Sequence, residues 1–350
     1  MALIDLNIPA GVYKNGTDLQ SMGRWHDASL VRWGDGVMRP VGGWRLRSGA
    51  AANSILRGML SWIDNSSSRW LASGTYNKLY VWNEANVLYD ITPAGLTAGR
   101  VDAFSFTGYG GSNFNVYAYG IARPDTIRIE PATSWDLSPW GEYLLACNED
   151  DGKIYEWQLN TATAAAVLPN APINNLGMVV TEERFLFALG AGGNPRKVQW
   201  SDREDNNLWT PAATNEAGDL ELNTSGALMK GVTVSGQTLL LTTRDAHVAS
   251  YIGPPYVYGI ERVGTSCGLA AKEAVVAVDR GAFWMGVNSF YFYTGGVVQE
   301  LPSDVADYVF NDINKGQISK VFGMSNSMFG EVTWFYPSAA ATENDRYVTY

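Results

Sequence analysis

A hairpin unit repeats along this chain. An apolar strand, a turn and a second strand with an aromatic near its end recur in RWLASGTYNKLYVW (69–82), EYLLACNEDDGKIYEW (142–157) and RFLFALGAGGNPRKVQW (184–200). The unit returns in QTLLLTTRDAHVASYIG (237–253), GAFWMGVNSFYFYTGG (281–296) and EVTWFYPSAAATENDRYVTY (331–350). Second strands begin near residues 79, 154, 197, 247 and 290, about 43–50 residues apart except for one double step. A less regular copy, NVYAYGIARPDTIRIE (115–130), would fill that step. Such a spacing, filled by several short strands, is that of propeller blades. A sandwich of hairpins is the alternative. Asp151-Gly152 suits a hairpin turn because Gly accepts positive φ.

Composition points the same way. Charged residues are only 17% of the chain, while Gly (37), Trp (13) and Tyr (18) are prominent, as in short strands joined by tight turns. The expected fold class is all-β, a β-propeller-like array of short antiparallel hairpins with few short helices. SDVADYVFNDINKGQI (303–318), with a Ser cap and Val305, Tyr308 and Val309 at helical spacing, is predicted to be one of those helices. Residues 1–50 lack the hairpin pattern and form the first unit, an N-terminal arm or platform. Residues 51–350 form the propeller-like unit. Its last strand, RYVTY, is followed by no turn or partner, so the chain is expected to continue beyond Tyr350. Otherwise the arm would supply the closing strand.

The net charge is −10; the first 50 residues carry six basic and four acidic side chains, which leaves −12 on the remainder. An acidic body is repelled by phosphate, which argues against an ordinary nucleic-acid-binding domain, though not against a surface past which DNA slides. Cys147 and Cys267 match no metal spacing and are expected to be reduced thiols. The opening MALIDLNIPAG has neither the basic start nor the apolar run of a leader, and no stretch approaches the roughly 20 apolar residues of a membrane helix.

Four motifs could carry chemistry. WSDREDNNLWTPAATNEAGDLEL (200–222) loosely resembles the Asp box of sialidase-like propellers, but Ser201 is followed directly by Asp202, and Asp205 stands where Gly would be. Calcium could use its acids, although EF-hand spacing is absent. The structural alternative is a turn in which Ser201 and Asp202 bond the backbone over Trp200 and Trp209. GTSCG (264–268) matches Gly-x-Ser-x-Gly, yet both histidines, His26 and His247, precede Ser266, against the chain order of a nucleophile elbow. GAGGNP (190–195) lacks the Lys-Ser/Thr of a phosphate loop and reads as a turn. A carboxylate pair for glycoside hydrolysis is possible in principle, but no pair stands out. No metal, cofactor or catalytic set is therefore assigned, and the expected class is non-enzymatic. In the arm, Arg24, Trp25, Arg32, Trp33, Arg39 and Trp44 interleave basic and aromatic residues. They suit a protein interface, a subdomain with its Trp residues turned inward, or a nucleic-acid surface.

MALIDLNIPAGVYKNGTDLQSMGRWHDASLVRW, the stretch 200–222, YIGPPYVYGIERVGTSCGLAAKEAVVAVDRGAFWMG (251–286) and LPSDVADYVFNDIN (301–314) resemble tailed-phage virion proteins. The nearest group is the tail nozzle or hub proteins of short-tailed phages, including the packaged-DNA-stabilisation proteins. The resemblance runs through nearly the whole chain and carries no catalytic residues. It implies a propeller-containing subunit of the virion tail, assembled in the bacterial cytoplasm. Six copies would form a ring below the portal and adaptor proteins, closing the exit and conducting DNA as passing cargo during ejection. A receptor- or glycan-binding tail propeller is the rival reading, and a cellular scaffold propeller a third.

Overall fold

The computed structural model describes residues 8–17, 19–43, 45–46, 50–105 and 129–350. Six antiparallel sheets follow one another as blades: I (59–90), II (135–167), III (177–221), IV (228–265), V (275–300) and VI (322–349). Blades I to V have four strands in meander order and blade VI has three. From blade I through blade VI, first strands of successive blades lie against each other, as where Trp135–Trp140 meets Gly177–Val180 and Gly177–Val180 meets Leu228–Val234. First strands therefore surround the axis and later strands fan outward, the arrangement of a β-propeller.

All six hairpins read from the sequence are the second and third strands of a blade. These pairs are the most buried: Leu79–Trp82 and Leu186–Leu189 are buried at every position, and Glu331–Tyr336 alternates, turning Val332, Trp334 and Tyr336 inward. The expected turn forms at Gly152, whose φ is 65°. A Cβ there would stand 2.7 Å from the Asn174 backbone, and the Gly152 carbonyl accepts from Asn175 N at 2.9 Å. That residue can only be Gly.

Apolar clusters fill the space between neighbouring blades, and Trp residues stitch it. Trp135 of blade II donates its indole N–H to the carbonyl of Thr75 in blade I (2.8 Å), and Trp334 of blade VI donates to Ala274 at the start of blade V (2.9 Å). Burying each indole with its N–H satisfied avoids the desolvation penalty of an orphan donor.

Three expectations need correction or placement. The double step near residue 115 holds no described blade: residues 115–128 lie outside the described residues, and among the described residues Ile129–Glu130 pairs with Phe104–Ser105 alone. As read from the sequence, Arg346–Thr349 pairs back onto Glu331–Tyr336, and Val332 and Tyr350 exchange two backbone hydrogen bonds; on its other side the strand has no partner among the described residues. The helix is shorter than predicted, Ala306–Asp312, with Val305 at the N-cap; Ser303 Oγ instead accepts from the Val305 N–H at 3.3 Å.

Blade VI meets blade I through charge. Arg57 makes a bidentate contact with Glu343 (2.8 and 2.9 Å), and the fully buried Lys320 ammonium donates to Asp102, Glu343 and the Thr342 carbonyl. The arm forms a separate hairpin, Val31–Gly34 with Val37–Pro40, and adds no strand to blade VI among the described residues.

Candidate functional site

The arm docks on its own propeller. Arg24 pairs with Asp304 (2.6 Å), Asn15 donates to the Ser303 carbonyl (2.8 Å), and the Lys14 ammonium lies 4.1 Å from the Tyr308 ring. Arg32 donates to Glu331 (3.1 Å) while its guanidinium stacks 3.5 Å from the Phe329 ring centre. Trp25 is half-buried, and its carbonyl accepts from the Tyr13 N–H. Trp33 is half-buried opposite Met38, and Arg39 is exposed opposite Arg32. Trp44 lies outside the described residues. Around these anchors Leu19, Met22, Leu30 and Val37 stand in solvent.

The acids and tryptophans at 200–209 are joined by local bonds. Ser201, fully buried, accepts from the Leu186 N–H (3.1 Å) and donates to the Asp202 carbonyl (2.9 Å). Asp202 accepts from the Glu216 N–H (2.8 Å). Trp200 and Trp209 are buried and donate to the carbonyls of Glu216 and Asn206. Asp205 caps the Asn207 N–H. These groups satisfy the backbone of a turn, and among the described residues no group of three or more His, Cys, Asp or Glu is placed to hold a metal.

Sequence reasoning missed the charges near the axis. Lys230, on the first strand of blade IV, lies 2.5 Å from Asp136 of blade II and 2.7 Å from Glu273, just before blade V. The second Asp136 oxygen accepts from the Met178 N–H of blade III (3.2 Å). Lys272 pairs with Glu149 (3.0 Å) and donates to the Leu176 carbonyl. Burial opposes the Lys230 charge, but Asp136 and Glu273 outweigh it and hold the ammonium above its ordinary range. The sequence signal was available: a lone Lys inside the apolar strand LMKGVTV cannot be buried without a carboxylate. Cys147 and Cys267 are buried free thiols, and burial pushes Cys267 up to about 11.

A hollow of about 630 Å³ opens between blades IV and V, on the face formed by second-to-third-strand turns and blade-to-blade connections. Its wall includes Arg244, Asp245, Arg262, Ser266 and Tyr291. Asp245 Oδ1 accepts from the hydroxyls of Thr224 (2.8 Å) and Thr242 (2.5 Å); Arg262 is 4.0 Å from its Oδ2. Behind it, buried His247 places Nε2 3.3 Å from Asp245 Oδ1, without the alignment of a hydrogen bond. Burial lowers the His247 pKa, and Asp245 opposes that shift. Ser266 sits between strand Val257–Thr265 and a short 3-10 turn, Lys272–Ala274, so GTSCG has no strand-to-helix context for a nucleophile elbow.

Among the described residues no helix is long and apolar enough to cross a membrane. No protein-family model matches the sequence, and no curated protein matches it significantly. Among solved structures the chain is similar to virginiamycin B lyase from Staphylococcus aureus, at 8% identity over 69% of each chain and a TM-score of 0.40. It is also similar to BBS1N in complex with ARL6DN, at 13% identity over 81% of this chain and 77% of that one, with a TM-score of 0.45. A quinonprotein alcohol dehydrogenase-like protein from Bacteroides thetaiotaomicron aligns at 11% identity over 83% of this chain and 63% of that one, with a TM-score of 0.44. Similarity this low carries no functional argument, and the propeller rests on the sheets themselves.

Proposed function

We propose that the chain is a non-enzymatic wall subunit of a phage tail, six copies of which form a nozzle or hub ring. In this reading the ring meets the portal and adaptor proteins and lets DNA pass during ejection. The observation that carries it is the arm. It is fastened to blade VI and the helix by Arg24 and Arg32, yet it leaves Leu19 and Met22 77% and 75% exposed, with Leu30 and Val37 beside them in sequence. Exposed apolar groups gathered on one docked segment are what a subunit contact would cover.

Two further features support the reading. Protein charges occupy the region between blades II, IV and V, so the DNA path would be the lumen enclosed by several copies. A net charge of −10 offers a passing duplex few counterion-releasing contacts.

The test is Leu19→Asp with Met22→Asp, measured by mass photometry and circular dichroism. The expected result is loss of the ring to monomer with an unchanged spectrum and melting curve. A variant that assembles as the parent does would remove the arm from the interface.

A further inference from the structure

The hollow between blades IV and V has the chemistry of an anion site, and we propose that it binds an acidic saccharide, a hydroxylated ring bearing one carboxylate. Two arginines, Arg244 and Arg262, line it, and both are exposed. Arg244 has no carboxylate within 4.0 Å among the described residues, and Arg262 has only Asp245, at that limit. Asp245 Oδ1 is taken by Thr224 and Thr242, and Arg262 stands only at the limit of ion-pair distance from Oδ2, so Arg244 and, in part, Arg262 have charge to offer a ligand. An Arg pair is suited to a planar carboxylate, which it grips through parallel N–H donors.

The wall is held in place before any ligand arrives. Tyr291 donates its hydroxyl to the Ser266 carbonyl (3.0 Å), Trp284 donates to the Cys267 carbonyl (2.8 Å), and the Cys267 N–H reaches back to the Arg244 carbonyl (3.1 Å). Gly268 is required, because a Cβ there would collide with the Thr243 carbonyl. Ser266, at φ 57°, is a non-Gly residue in the left-handed region and is exposed on the wall. GTSCG is therefore a hydrogen-bonded rim of the hollow.

Asp245 decides the ligand class. It lines the hollow as a largely buried carboxylate, its Oδ2 4.0 Å from Arg262, and a second anionic oxygen brought beside it would be repelled. A sugar hydroxyl donates to that oxygen while the carboxylate of the same ring takes the arginines, and the Tyr291 ring offers an apolar face. Bare phosphate at neutral pH brings up to two negative charges and little donor capacity. The hollow admits one or two sugar rings, and neighbouring Glu300, which accepts from Ser289, disfavours a polyanion such as a duplex. The site lies in one chain and does not rest on ring assembly, so either proposal can fail alone.

The test is NMR titration of the purified protein with methyl glucuronide, methyl glucoside and inorganic phosphate. The glucuronide is expected to bind saturably, with the glucoside and phosphate each at least about tenfold weaker. Arg244→Ala and Arg262→Ala, both at exposed positions, should each weaken the glucuronide about tenfold at an unchanged melting temperature. Arg244→Gln serves should Ala disturb the turn. No saturable binding, equal binding of glucoside or phosphate, or indifference to both arginine changes would overturn the proposal.

Discussion

Lys230 shows how one side chain can hold blades that are not neighbours. It joins Asp136 of blade II to Glu273 beside blade V, and Asp136 is 2% exposed. Removing one partner of a buried pair strands the other charge, which costs far more than the pair itself contributes. Lys230→Met is therefore expected to lose about 3–5 kcal/mol of stability, and adding Asp136→Asn should return part of it. Denaturant midpoints measure both, and a single-variant loss under about 1 kcal/mol would contradict the account. His247 gives a pH signature. Burial holds its folded pKa below the ordinary value despite Asp245, so the unfolded chain binds the proton first as pH falls. The stability is complete above about pH 6.5 and is lost as pH falls toward the folded value. Melting temperature should drop more steeply between about pH 7 and 5 for the parent than for His247→Gln. Parallel curves would remove His247 as the cause.

At the scale of the element, the middle hairpins were legible in the sequence and the outer strands were not. Leu186–Leu189 and Glu331–Tyr336 announce themselves by apolar runs or strict alternation. Ala166–Val167 and Gln299–Glu300 are two-residue, exposed fourth strands, too short to show any period. The hollow was equally invisible. Arg262 reaches the same wall as Arg244 only because Asp245–Gly253 pairs with Val257–Thr265, and register is not written in composition. Trp200, Ser201, Asp202 and Trp209 have local partners, the kind of bonding that a stretch of sequence can suggest without knowledge of the fold. Closure of blade VI onto blade I rests on long-range ion pairs, which no spacing reveals. A double-mutant cycle on Arg57→Ala and Glu343→Ala should give a coupling of about 1 kcal/mol, because the pair is bidentate and shares Glu343 with buried Lys320. Additive effects would assign the closure to apolar packing instead.

The described residues form a six-bladed propeller with an arm docked on it, and the proposed ring uses that arm as its outward contact. A wall needs rigidity, a surface to share and little attraction for what passes it. In the proposed wall, blade-to-blade Trp bonds, the exposed apolar side chains of the arm and the net charge of −10 would supply those three properties. Cryo-electron microscopy of phage particles carrying this protein tests the claim most directly. The account predicts six copies arranged as a ring at the tail exit, each arm against the next copy. Particles without the protein, or one copy standing alone on a peripheral fibre, would contradict it.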